Sequence, residues 1–161
     1  MMNNIFKVLL VIFISFLSSP SWSETKWIKI DLPNGQLINS EKGFGIAGDV
    51  YLDKKSLENP DHVVFWSSAT KKMHLWIMFD YAKQTIFEEL SQVIYREVDC
   101  VKFGYKNMQS YSYDASMGTG KTLPISYSSV LLPSYPPPNS VNLAILEAAC
   151  SHVMDKFFPD D

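Results

Sequence analysis

Residues 90–103, LSQVIYREVDCVKF, set apolar against polar side chains in alternation. With a period of two, Ile94, Val98 and Cys100 point one way while Tyr95, Glu97 and Asp99 point the other, as in a strand with one face buried. The run predicts a long strand from about Leu90 to Phe103, which Gly104 links to a second from Tyr105 through Asp114. Cys100 therefore belongs to an apolar face that another element must cover.

Upstream, Met73, Leu75, Ile77, Phe79 and Tyr81 share one face of a predicted strand, and His74, Trp76, Met78 and Asp80 share the other. Ala69, Thr70, Lys71 and Lys72 separate it from His62–Ser68, which gives a hairpin signature. Earlier strands are expected at Glu24–Ile30 and Asp49–Leu52, on either side of a polar, glycine-rich stretch from Pro33 to Gly48. Asp53, Lys54, Lys55 and Ser56 read as a turn, with Leu57 as its hydrophobic plug.

Downstream, Met117–Gly120 is a glycine-rich turn, Ser126–Leu132 reads as a last strand, and Pro133–Pro138 as a stiff extended linker. Asn139 or Ser140 caps a closing helix, in which Val141, Ile145, Ala149 and Val153 recur at helical spacing and Leu146 and Cys150 widen the stripe. That stripe needs an apolar partner, and the strand face bearing Cys100 supplies one. The fold class expected is α+β, an antiparallel β-sheet of about six strands packed against a C-terminal α-helix, with one disulfide.

The chain opens with Lys7 ahead of an apolar run, Val8–Leu17, which ends in Ser18, Ser19, Pro20, Ser21, Trp22 and Ser23. That is the order of a secretory signal peptide over residues 1–23, with cleavage expected after Ser23. A run of about ten apolar residues is too short for a span that needs roughly 20. No cysteine lies near the cut, so a lipid-anchor site is lacking, and no second long apolar stretch follows. The expected product is exported, periplasmic or secreted, with surface display left open. Residues 24–161 are of a length typical of a single domain.

Export bears on the cysteines. The chain has two, an oxidising compartment favours pairing, and two cysteines allow one connectivity, Cys100 to Cys150. A redox or metal pair would need a close Cys-x-x-Cys spacing, which is absent. The net charge of −3 comes with scattered basic residues, which gives no footprint for nucleic acid or anionic lipid. An aromatic content of 14% favours strands.

Motifs that could carry chemistry are weak. Ala115–Thr122, ASMGTGKT, fits a relaxed phosphate-loop pattern, but Leu123 and Pro124 follow where a helix must begin, so it reads as a turn between strands. His62, His74 and His152 lack the spacing of a zinc site, and the first two fall in strand-like runs. No serine sits in a Gly-x-Ser-x-Gly elbow. No catalytic, cofactor or metal residues are assigned. Tyr105, Tyr111, Tyr113, Tyr127 and Tyr135 enrich the second half in amphipathic side chains, which serve sheet packing and binding surfaces alike. Tyr105, Tyr111 and Tyr113, with Lys102 and Lys106, form the candidate interaction surface.

Taken in order, several features resemble the surface-adhesin protein E family of Gram-negative bacteria. They are Trp27, Val50-Tyr51-Leu52-Asp53 with Ser56 and Leu57, Val64-Phe65-Trp66, Tyr95-Arg96-Glu97-Val98-Asp99-Cys100, Tyr113 with Met117-Gly118, Pro138-Asn139-Ser140 and a helix holding Cys150. The resemblance implies a disulfide-bridged sheet and helix, binding to host matrix or serum proteins such as vitronectin and laminin, and a homodimer as a further option. On that basis the expected role is non-enzymatic protein binding without a cofactor. A periplasmic envelope-assembly factor is the alternative, and a small secreted enzyme or inhibitor is the third reading.

Overall fold

The computed structural model describes residues 26–32, 47–66, 70–124 and 132–157. The expected signal peptide, most of the glycine-rich stretch before Gly48, all but the last residue of the strand expected over Ser126–Leu132 and the tail beyond Phe157 lie outside the described residues.

The strands are β1 (Trp27–Ile30), β2 (Gly48–Asp53), β3 (Val63–Trp66), β4 (Lys71–Tyr81), β5 (Ser91–Asp99), β6 (Gly104–Tyr113) and β7 (Thr122–Leu123). A short helix α1 (Lys54–Glu58) follows β2, a 3-10 turn covers Pro60–His62, and the closing helix α2 spans Val141–Phe157. All pairings are antiparallel, in the order β1-β2-β4-β5-β6-β7, with β3 also on β4. The antiparallel sheet, the C-terminal helix and the disulfide are those the sequence predicts.

Helix α1 replaces the expected turn. Asp53 Oδ1 accepts the Lys55 N–H at 3.2 Å and Oδ2 accepts the Ser56 N–H at 2.9 Å. A carboxylate at the N-cap satisfies orphan donors of the first turn. Leu57 is buried, as a plug should be. The helix also fills a break in the sheet: β2 pairs with Ile77–Tyr81 and β3 with Lys71–Met73 of the same β4 strand. In the gap, the Trp76 N–H points to Ser56 Oγ at 3.4 Å.

The long strand expected over residues 90–103 ends at Asp99, and Cys100–Phe103 form a turn. Asp99 Oδ1 accepts the N–H groups of Val101 at 3.1 Å and Lys102 at 3.0 Å. This local side-chain bonding competes with the strand ladder, and it wins here. His62 likewise falls in the 3-10 turn, with β3 beginning one residue later.

The main core lies between α2 and one face of the sheet. Val50, Leu52, Met73, Leu75, Ile77, Phe79, Ile94 and Val98 meet Ile145, Leu146, Ala149 and Val153. Ser140 caps α2, its Oγ accepting the Leu143 N–H at 3.2 Å. Cys100 and Cys150 are bridged, with Cα atoms 5.6 Å apart and a sequence separation of 50.

Arg96 lies on this helix-covered side with 2% exposure. Its Nε donates to Asn107 Oδ1 at 2.8 Å and its Nη1 to Asn142 Oδ1 at 3.0 Å. The guanidinium stands 4.0 Å from the Tyr105 ring centroid. Burial lowers its pKa to about 10, against an opposing effect of Tyr105, so the cation persists at neutral pH and ties β5 and β6 to the start of α2.

Candidate binding face

Alternation sends the remaining strand side chains to the face opposite α2. Cross-strand register aligns Lys29, Tyr51, Met78, Val93 and Tyr111 in one row over five strands. In the next row, Trp76 faces Tyr95, and Tyr95 faces Gln109. Met78, Val93 and Tyr113 are buried there, with Trp27, Tyr51, Trp76 and Met117 packed against them.

The centre of this face is aromatic. The Trp76 ring lies 4.7 Å from Tyr95 and 6.2 Å from Tyr111, centroid to centroid, in tilted arrangements. These spacings and tilts fall in the range favoured for aromatic pairs. His74 packs edge-on to Tyr95 at 5.3 Å, and its Nδ1 is 3.1 Å from the tyrosine hydroxyl. Tyr111 keeps 38% of its surface exposed.

Charged groups flank the aromatic centre on both sides. Towards the β5–β6 turn, Lys72 Nζ is 3.0 Å from Glu97 Oε1, and His74 Nε2 is 3.4 Å from Glu97 Oε2. Burial pushes the Glu97 carboxyl up, but the Lys72 hydrogen bond and charge, with His74 adding to them, hold it below its ordinary value. At the opposite end Asp49 stands across from Asp80. Burial pushes the Asp80 carboxyl up; the Met117 N–H, 2.7 Å away, opposes this, and the Asp49 charge reinforces it.

The 114–121 loop folds over that second end. Besides the Met117 contact, the Gly118 N–H donates to Ser91 Oγ at 2.9 Å, and the Ser91 hydroxyl donates to the Ala115 carbonyl at 2.6 Å. Gly120 has a φ of +78°, and a Cβ there would run into Asp114 and Ala115, so this position demands glycine. A strand follows the loop, with no helix start to cradle phosphate, so ASMGTGKT is a turn.

The five candidate interaction residues are spread over three environments. Tyr111 and Tyr113 are on the face opposite α2, Tyr111 exposed and Tyr113 buried, and Lys106 pairs across from Glu97 on the same face. Tyr105 points to the helix-covered side, under Arg96. Lys102 is exposed in the β5–β6 turn. Trp76 and Tyr95, which the sequence reading leaves unassigned, occupy the centre; the register that pairs residue 76 with 95 is the signal that gathers them. No group of three metal-ligating side chains converges among the described residues. No described helix is long and apolar enough to cross a membrane.

Comparison with known proteins gives one family and one group of structures. The family model described as Surface-adhesin protein E matches residues 40–151. Crystal form II of Haemophilus influenzae protein E is 12% identical, with a TM-score of 0.49, over 77% of this chain and 93% of that one. Protein E from non-typeable Haemophilus influenzae is 13% identical, also with a TM-score of 0.49, over 82% of this chain and 88% of that one. No curated protein matches.

Proposed function

We propose an exported, non-enzymatic, protein-binding role for this chain, which belongs to the surface-adhesin protein E family. The observation that carries the reading is the Trp76, Tyr95 and Tyr111 cluster on the sheet face opposite α2. Tryptophan and tyrosine offer large contact area at low entropic cost and dominate binding hot spots. Ion pairs at the rim, such as Lys72 with Glu97, set orientation more than affinity.

The signal peptide over residues 1–23 delivers a domain of residues 24–161 to the periplasm or beyond, where a host matrix or serum protein is the partner. The aromatic centre makes the main contact, with Lys106 beside it. The test measures binding of the oxidised chain to immobilised vitronectin and laminin. Saturable binding that Trp76→Ala weakens is expected. Binding to neither protein, or binding indifferent to that substitution, contradicts the proposal.

A further inference from the structure

The β5–β6 turn is built as a rigid apolar point. Val101 and Phe103 are large side chains left 45% and 42% exposed. Tyr135, 62% exposed, covers the residue that follows them, its ring so near Gly104 that a Cβ there would stand 2.9 Å from it. Single exposed apolar residues are ordinary, but three large ones within and against one turn at the end of a sheet ask for a partner.

The turn is held from every side, so these side chains have little freedom to fold back. Cys100 is bridged to α2, and its N–H donates to the Lys71 carbonyl at 2.7 Å. Asp99 holds the Val101 and Lys102 N–H groups. Phe103 is kept at a φ of +48°, a left-handed conformation that side chains rarely adopt.

Basic residues that are scattered in sequence, and so give no footprint for anionic lipid there, gather in part at one end of the sheet. Folding brings Lys71, Lys72, Lys102 and Lys106 to the turn end, where the acids are Glu97 and Asp99. Glu97 is taken up by Lys72, and Asp99 serves the turn backbone. Lys102 and Lys106 have no ion pair among the described residues. The opposite end carries Asp49, Asp80, Glu88 and Asp114 interspersed with Lys29, Lys83 and Lys121, and Lys29 is paired with Asp49, so the basic character of the turn end rests on its own unpaired Lys102 and Lys106.

We infer that this turn docks on an anionic lipid surface, with Val101, Phe103 and Tyr135 entering the interface and Lys102 and Lys106 meeting the headgroups. A fluid interface accepts an apolar point without a matching pocket, and anionic headgroups complement unpaired lysines. The strands then stand end-on to the surface, which leaves the aromatic face free to the side. Val101, Lys102 and Phe103 lie apart from that face, and only Lys106 borders both, so lipid docking does not depend on the partner of the aromatic face.

The test is co-sedimentation of the exported, oxidised chain with vesicles of phosphatidylcholine, with and without phosphatidylglycerol. Pelleting with the anionic vesicles alone is expected, weakened by added salt. Charge reversal in Lys102→Glu and Lys106→Glu should each lower the partition by about fivefold or more. Val101→Ser with Phe103→Ser should lower it by about tenfold, while Trp76→Ala should leave it unchanged. Melting under non-reducing conditions checks that each variant is folded. Pelleting with neither vesicle, equal pelleting with both, or full pelleting of the turn variants would overturn the inference. So would turn variants that pellet normally yet lose an immobilised protein partner, since that outcome assigns the turn to protein recognition.

Discussion

On the α2 side of the sheet, Leu75, Ile77 and Val98 are sealed under Ile145 and Leu146, and a disulfide and a buried arginine tie the helix down. On the other side β4, β5 and the neighbouring β6 turn out Trp76, Tyr95 and Tyr111, with no described helix above them. One set of strands thus builds a face that holds the fold and a face available for contact. A period of two creates both faces, and the element that covers one of them separates their roles.

The contrast is broken most severely by cutting the staple. Replacing Cys100 and Cys150 by serine releases a loop of about 50 residues, worth about 4 kcal/mol in the chain-entropy account. Denaturant unfolding should show that loss, and reduction of the native chain should reproduce it. Equal stability of the oxidised and reduced chains would mean that packing alone holds α2. Next in size is Ile145→Ala, which opens a cavity under the sheet and should cost about 3 kcal/mol. A loss near zero would show that α2 is loosely seated.

Two carboxylates sharpen the comparison through pH, and they pull in opposite directions. Glu89 is buried, beside Ser112 on the helix side of β6. Burial raises its carboxyl against the Ser112 and Thr85 hydroxyls. The folded chain therefore binds this proton more readily than the unfolded one, and the contribution to stability falls as pH rises through the raised value. Glu89→Gln should melt higher than the native chain at neutral pH and lose that advantage in acid.

Glu97, on the aromatic face, is shifted the other way: burial is outweighed by Lys72 and His74. Its contribution is present above the ordinary glutamate range and lost as pH falls through the lowered folded value. This is the smallest effect expected, within about 1 kcal/mol for so exposed a pair. Glu97→Gln should flatten the acid limb of a pH-stability curve; an unchanged limb would remove the ion pair from the account.

Much of the architecture was legible because period-two alternation and helical spacing are strong local signals. The faces of residues 73–81, the apolar setting of Cys100 and the stripe of α2 follow from them. The misses come where a side chain captures backbone donors. Asp53 turns an expected bend into a helix, and Asp99 ends the long strand four residues early. The candidate binding face was harder to read, because Trp76 and Tyr95 lie 19 positions apart and meet only through strand register. Tyr105 looked equivalent to Tyr111, yet Met108, the one extra residue between Asn107 and Gln109 in the register, puts the two on opposite faces. Arg96 sits in an apolar row, and composition gave no sign that Asn107 and Asn142 would satisfy it.

The division of labour between the faces is tested most directly by Trp76→Ala combined with Tyr111→Ala, in which binding to immobilised matrix protein and non-reducing melting are measured on the same sample. Loss of two hot-spot aromatics should weaken binding by about 30-fold or more, with a melting temperature that falls less than in Ile145→Ala. Unchanged affinity, or loss of binding only in step with loss of the folded state, would contradict the assignment of this face to recognition.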